Sequence, residues 1–287
     1  MHVQRLAAFS DAGVGGNPAG VVLCEALPEP DAMQALAAAV GYSEMVFAAR
    51  VGDGWRVRYF SPAMEVPFCG HATIALGAVL ALAHGDGAFA LQLNGDRISV
   101  EGGCRDGVLH ATLRSPPARS APAGKEVVAA ALDLFGLGAG ELEAGIPPAV
   151  IEAGARHLLL ALAHRGRLAK MAYDLESGRA FMEAHGFVTI NLVHARAQGM
   201  IDARDAFAAG GVYEDPATGA AAAALGGYLR EIGWWRSGAL VISQGVDMGV
   251  PCRLHVRAPR EGLGMEVSGE VRVIGGASGS ERGIETG

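Results

Sequence analysis

The sequence is poor in the residues that staple small extracellular domains or hold metal clusters. Its four cysteines, Cys24, Cys69, Cys104 and Cys252, are scattered over 287 residues with no Cys-x-x-Cys pair. That argues against a disulfide framework or a structural zinc site. Nine histidines include no His-Glu-x-x-His, and His157 and His164 read as polar ends of a strand over Leu158–Ala163. Charge is sparse at 18% and the net charge is −7, with no marked cluster of Lys and Arg, so a nucleic-acid backbone is a poor partner. The longest apolar runs, near Ile74–Ala83 and Ala220–Leu225, fall short of the roughly 20 residues a membrane span needs. Met1-His2-Val3-Gln4-Arg5 lacks a basic-then-apolar export pattern, and the expectation is a cytoplasmic protein. Gly124-Lys125 is followed by Glu126, Gly13-Val14-Gly15 lacks a third glycine, and there is no Gly-x-Ser-x-Gly. A phosphate loop, a dinucleotide fingerprint and a serine hydrolase elbow are therefore missing.

What is abundant is small and apolar: 42 glycines and 51% hydrophobic residues against only 6% aromatics. This composition suits a large core with close backbone approaches. Strand signals dominate. Trp55–Tyr59 alternates with period two, and Leu91–Leu93 and Ile98–Val100 flank Asn94-Gly95, a type I′ hairpin signal. Further strands are expected at 108–114, 157–163, 187–195, 239–243, 253–257 and 271–274. The Pro-, Ala- and Ser-rich stretch Arg114–Lys125 reads as a linker.

Two helical stretches, Ala72–Ala83 and Ala220–Leu229, are apolar nearly all round and so should be buried. Aligning Gly70 with Gly219, an offset of 149 (219 − 70), matches Ala72 with Ala221, Leu76 with Leu225, Gly77 with Gly226 and Leu80 with Leu229. Val40–Glu44 resembles His185–Thr189 at a similar offset of 145 (186 − 41). Both observations predict a duplication: two lobes, each a curved sheet around one apolar helix, with a ligand cleft between them. The expected division is 1–114 for the first lobe and 115–274 for the second, with a tail from about 275 to 287 that packs back on the first.

Three elements carry candidate chemistry. Phe68-Cys69-Gly70-His71-Ala72-Thr73 opens the first buried helix, and Glu214-Asp215-Pro216-Ala217-Thr218-Gly219 opens the second. A helix start offers unpaired N–H groups to an anion, and glycine lets a ligand close to the backbone; each stretch also reads as an ordinary helix start or capping turn. Glu44, in Gly41–Phe47, is either a solvent-facing residue or a partly buried proton shuttle. His71 is a candidate acid or orienting donor, and Cys69 is either a thiolate favoured by the helix dipole or a small buried hydrophobe.

Taken together these segments resemble the PhzF-type, phenazine-biosynthesis-like family. The resemblance rests on Phe9-Ser10, Gly16–Val22, Ser43–Phe47, Phe60–Pro62, Glu65–Thr73, Glu214–Gly219 and Gln244-Gly245, in the family's order. It implies the α+β fold of diaminopimelate-epimerase-like proteins: two pseudo-symmetric lobes, each a strongly curved, mainly antiparallel sheet wrapped around a central buried helix. It implies an isomerase without metal or organic cofactor, acting on a small carboxylate-bearing molecule, with a homodimer as the family's frequent assembly and Trp234-Trp235 as a candidate interface. By motif match Glu44 moves the proton, with His71 and Asp215 as the other catalytic residues. Asn17, Cys69, Gly70, Thr218, Gly219 and Ala220 form the substrate-binding set. Two positions depart from the pattern. Ala220 stands where the family usually has Ser, and Gly249-Val250-Pro251 lacks the family's Arg. An amino-acid epimerase, racemase or dehydratase working through Cys69 is one alternative, although Thr218 occupies the position of a second thiol (69 + 149). A non-catalytic binding protein of the same fold is another.

Overall fold

A computed structural model describes residues 1–95, 97–259 and 264–275. The chain begins with β1 (Gln4–Ser10), β2 (Asn17–Cys24), α1 (Pro30–Val40), β3 (Glu44–Val51), β4 (Gly54–Phe60), β5 (Glu65–Val66), α2 (Gly70–His84), β6 (Gly87–Gln92), β7 (Arg97–Arg105) and β8 (Val108–Pro117). It continues with β9 (Arg119–Pro122), α3 (Lys125–Leu134), β10 (Ala149–Glu152), β11 (Arg156–Ala161), α4 (Arg165–Ala169), α5 (Leu175–His185), β12 (Thr189–Ala197) and β13 (Met200–Ala206). The last elements are β14 (Glu214–Asp215), α6 (Gly219–Glu231), β15 (Leu240–Gln244), β16 (Cys252–Arg257) and β17 (Gly264–Val273).

The two helices that are apolar all round are α2 and α6, and each sits inside a ring of strands. Around α2 the ring runs β1-β2-β3-β4-β6-β7-β8, with successive pairs antiparallel, parallel, antiparallel, parallel, antiparallel, antiparallel. Around α6 it runs β10-β11-β12-β13-β15-β16-β17, with the same succession of senses. The duplication is therefore written into the hydrogen-bond topology, and the fold is the two-lobed α+β arrangement expected. The rings are not independent. β17 pairs with β1 and β8, and so closes the first ring while ending the second. β9 follows directly on β8 and pairs with β10.

Close packing explains the glycines. A Cβ on Gly102 of β7 would lie 2.0 Å from the Gly77 carbonyl oxygen of α2, so only glycine lets that helix approach its ring. Phe9 adopts a left-handed φ of 60° at an irregularity of β1 against β17, and its ring would meet a Cβ on Gly269 at 2.5 Å. A non-glycine residue in that region is strained and is held there by its surroundings.

Several local expectations are corrected. The stretch Arg114–Lys125 is not a free linker: it contains the end of β8 and all of β9, whose Pro, Ala and Ser residues hide a short paired strand. The β6–β7 hairpin exists, with Gln92 paired to Arg97 and Asn94-Gly95 between the strands. Trp235 is 2% exposed, packs in the chain's own core and donates to the Ser237 carbonyl, so it is not free for an interface. The sequence-based boundary at 114/115 falls inside β8, and β17, given to the second lobe, bonds to strands of both. The tail beyond residue 275 lies outside the described residues. Among those described, no helix is long and apolar enough to cross a membrane.

Candidate active site

The parallel pair β2–β3 sets the first wall of the site. Val46 and Ala48 point toward α2, whereas Met45 and Phe47 pack on the α1 side. Strand alternation then puts Glu44, the first residue of β3, on the α2 face beside the start of that helix. Its side chain is 15% exposed, and Oε2 lies 3.5 Å from His71 Nε2. The same ring nitrogen is 3.5 Å from Ser43 Oγ, and His71 Nδ1 is 3.3 Å from Cys69 Sγ. Glu44, Cys69 and His71 thus offer a carboxylate oxygen, a sulfur and a ring nitrogen within 4.8 Å of one another, the one trio among the described residues close enough to share an ion.

The second wall comes from β13 and β14. Cross-strand pairing sets Asp205 opposite Asp215 and Ala206 opposite Glu214. The two neighbouring acids of the Glu-Asp-Pro motif therefore part company. Glu214 is buried against Arg204, which also donates to the Ala169 carbonyl, and this pair anchors the turn. Asp215 accepts from Asn17 Nδ2 at 2.8 Å and from Thr218 Oγ1 at 2.6 Å. Asn17 belongs to β2, so this bond ties the two lobes together across the site. Gln244 Nε2 donates to the Asp215 carbonyl and to Thr218 Oγ1, and Gln244 Oε1 accepts from the Thr218 N–H. Burial raises the Asp215 carboxyl above its ordinary value, with the nearby Glu44 adding to the rise and His71 and the hydrogen bonds opposing it.

The starts of α2 and α6 meet. A Cβ on Gly70 would lie 3.8 Å from the Gly219 Cα, and Phe9 supports Gly219 from below. Neither Cys69 nor Thr218 makes a side-chain capping hydrogen bond to its helix. Both helix starts line a cavity of about 640 Å³, together with Asn17, Glu44, His71, Asp215 and Ala220. Every residue of the sequence-based candidate set is among its lining residues. Cys69 is buried, and desolvation followed by the Glu44 charge pushes its thiol well up, outweighing the nearby N–H groups of Ala72 and His71. Of the two readings of Cys69, a dipole-stabilised thiolate and a small buried hydrophobe, burial and the raised thiol favour the second.

A model of the family described as phenazine biosynthesis-like protein matches residues 6–283. This chain belongs to that family. A curated relative from Deinococcus radiodurans, named an uncharacterized isomerase, is 32% identical over 97% of this chain and 92% of its own. Isomerase is accordingly the enzyme class of this chain. The crystal structure of a Bacillus anthracis PhzF-family protein superposes with a TM-score of 0.81 at 22% identity, over 95% of this chain and 96% of that one. A probable proline racemase from Agrobacterium radiobacter, crystallised with bound carbonate, superposes at 0.65 with 13% identity over 95% and 91%. At that identity the likeness is one of fold.

The cavity also holds residues the sequence reading missed. His157, read as the polar end of a strand, is fully buried and lines the cavity. Its Nδ1 lies 2.8 Å from Thr189 Oγ1, and that hydroxyl lies 2.9 Å from Asp205 Oδ1. Asn191 Nδ2 donates to Asp205 Oδ2 at 3.1 Å. The available signal was the second match itself: the 145-residue offset carries Glu44 onto Thr189 (189 − 44).

Proposed function

We propose that this isomerase moves a proton between atoms of a small carboxylate-bearing substrate, possessing no need for a redox step, with Glu44 as the acid/base. The single observation behind this reading is that Glu44 lines the same cavity as two facing, uncapped helix starts. The N–H groups near Gly70–His71 and Gly219–Ala220 hold the substrate carboxylate, because helix N-termini favour anions. The Glu44 carboxylate then takes an acidic C–H proton and becomes a carboxylic acid. Its O–H proton is returned to a different atom of the substrate, and the carboxylate is regenerated. His71 orients Glu44 from one side. Asp215, fixed by Asn17 and Thr218, orients the substrate from the other.

At position 220, alanine lacks the hydroxyl of the family's usual Ser, which favours a substrate other than the phenazine precursor. The Cys69 alternative has less support. Its thiol is held protonated, and its counterpart in the second lobe is Thr218, so no thiol pair faces the cavity. The test is solvent hydrogen exchange in deuterated buffer over a panel of small carboxylic acids. Wild type should incorporate deuterium at one or more carbons, and Glu44→Gln should reduce that rate by about 10²–10⁴-fold. Exchange that survives the substitution would contradict the reading.

A further inference from the structure

The second lobe carries a buried polar chain that the Glu44 scheme does not use. His157 of β11 pairs in register with Thr189, the first residue of β12, just as Ala19 of β2 pairs with Glu44, the first residue of β3. Glu44 and Thr189 are thus equivalent stations of the two lobes. At the Glu44 station the reactive group stands directly at the cavity. At the Thr189 station His157 and Thr189 both line the cavity, and Asp205 is hydrogen-bonded to Thr189. His157 is 0% exposed, and its Nε2 has no partner in the protein although it is fully buried. An unpaired buried ring nitrogen costs free energy unless something else satisfies it. His157 lines the cavity, its Nδ1 edge is occupied by Thr189, and Nε2 is the ring nitrogen left unpaired.

From this geometry we infer that His157 is a second proton-handling group of the cavity, connected through the Thr189 hydroxyl to Asp205 as an internal proton store. This inference rests on the reading of the cavity as the substrate site. With Asp205 ionised, Thr189 O–H donates to Asp205 Oδ1, His157 Nδ1–H donates to Thr189 Oγ1, and Nε2 presents a lone pair. A substrate O–H, N–H or acidic C–H then gives its proton to Nε2. The Nδ1 proton passes to Thr189 Oγ1, and the Thr189 proton passes to Asp205 Oδ1. One proton enters, one carboxylate becomes a carboxylic acid, and the ring is neutral before and after. Run backwards, the chain delivers a proton from Asp205 to the substrate through Nε2. Burial suits the neutral ring, since desolvation depresses the imidazole to about 3. It also keeps a proton on the store, since burial lifts Asp205 to about 8.

The charges and polar groups around the chain favour this role. Asp215 of β14 is directly opposite Asp205 and disfavours a second ionised carboxylate. Thr189 and Asn191 supply hydrogen bonds to the carboxyl. The buried Arg204–Glu214 pair lies on the other face of β13 and β14. Glu44 and His71 face the chain from the opposite wall of the cavity. His157 is the catalytic residue of the scheme, and Thr189 and Asp205 are positioning residues that act through it.

The test reads the two His157 nitrogens by ¹⁵N NMR in full-length protein carrying ¹⁵N-histidine, with His157→Gln to assign the signals. As pH is swept through about 8, His157 should stay neutral and exchange tautomers, Nε2–H below and Nδ1–H above. Folded Asp205→Asn and Thr189→Val should each hold one tautomer throughout. A charged imidazolium near neutral pH, a fixed tautomer in wild type, or a switch that persists in a folded Asp205→Asn would overturn the relay. A second readout uses the carboxylic-acid panel. His157→Gln should lower exchange by about 10²-fold at the atom served from the second lobe while exchange through Glu44 persists. Equal loss at every position, with the pH profile unchanged, would make His157 a packing residue. The NMR experiment does not depend on Glu44, so a failure of the Glu44 scheme and a failure of the relay give different results.

Discussion

Burial acts on Asp205 and His157 in opposite directions. Burial moves the carboxyl from 3.8 to about 8 and the imidazole from 6.5 to about 3. Between 3.8 and 6.5 the native pair is a carboxylic acid with a neutral ring, and the unfolded pair is a carboxylate with an imidazolium. Both bind one proton, so the pair gives stability no pH slope there. The raised carboxyl alone behaves differently: its contribution is full below 3.8 and is lost as pH rises to about 8. Comparing urea midpoints of wild type and Asp205→Asn isolates it, and the wild-type advantage should shrink steadily as pH rises across that window. A constant difference would show that Asp205 titrates normally. Cys69 supplies a second residue-level prediction. Because its thiol is protonated and has no thiol partner, Cys69→Ala should keep exchange within about tenfold of wild type, against the 10²–10⁴-fold expected for loss of an acid/base group. The residues legible in the sequence were those in ordered motifs: the two helix starts, and Asn17 and Glu44 at the starts of β2 and β3. Asp205 and His157 were not legible, because a polar residue in a short strand reads as exposed unless its partners are known.

At the scale of elements, α2 and α6 were readable because a helix apolar on every side has nowhere to sit but inside. β13 was not. Its sequence, Met200–Ala206, contains Asp202, Arg204 and Asp205, yet those three side chains are buried. Asp202 pairs with Arg165 and Arg196, Arg204 pairs with Glu214, and Asp205 is bonded by Thr189 and Asn191. Polar pairing replaced hydrophobic alternation, so the periodicity signal vanished. The contact between α2 and β7 gives the sharpest structural prediction. Gly102→Ala would force a methyl group against the Gly77 carbonyl, and overpacking of this kind costs about 1–3 kcal/mol. Chemical denaturation should report a loss of that size, and an unchanged midpoint would mean that the helix moves freely away from its ring.

For the whole molecule, the two-ring plan was foreseeable from the repeated glycine-alanine pattern, but the exchange of closing strands was not. β8 and β17 pair along most of their length, so each lobe's last strand also serves the other lobe. One core cluster contains side chains from both lobes, including Leu76 and Leu225. The lobes should therefore unfold together. Trp55 reports on the first ring and Trp235 on the second, and both are buried. Single-tryptophan variants retaining one or the other should give coincident urea transitions. Two separated midpoints would contradict a shared structure. The same plan matters for chemistry, because Asn17 of the first lobe holds Asp215 of the second and fixes the width of the cavity.

The most direct measurement of the central claim is site-resolved deuterium incorporation into small carboxylic acids, followed by NMR for wild type, Glu44→Gln and Cys69→Ala in parallel. Glu44 as the acid/base predicts exchange in wild type and Cys69→Ala, and a loss of about 10²–10⁴-fold in Glu44→Gln. Exchange retained in Glu44→Gln and abolished in Cys69→Ala would contradict the account and transfer the chemistry to the thiol.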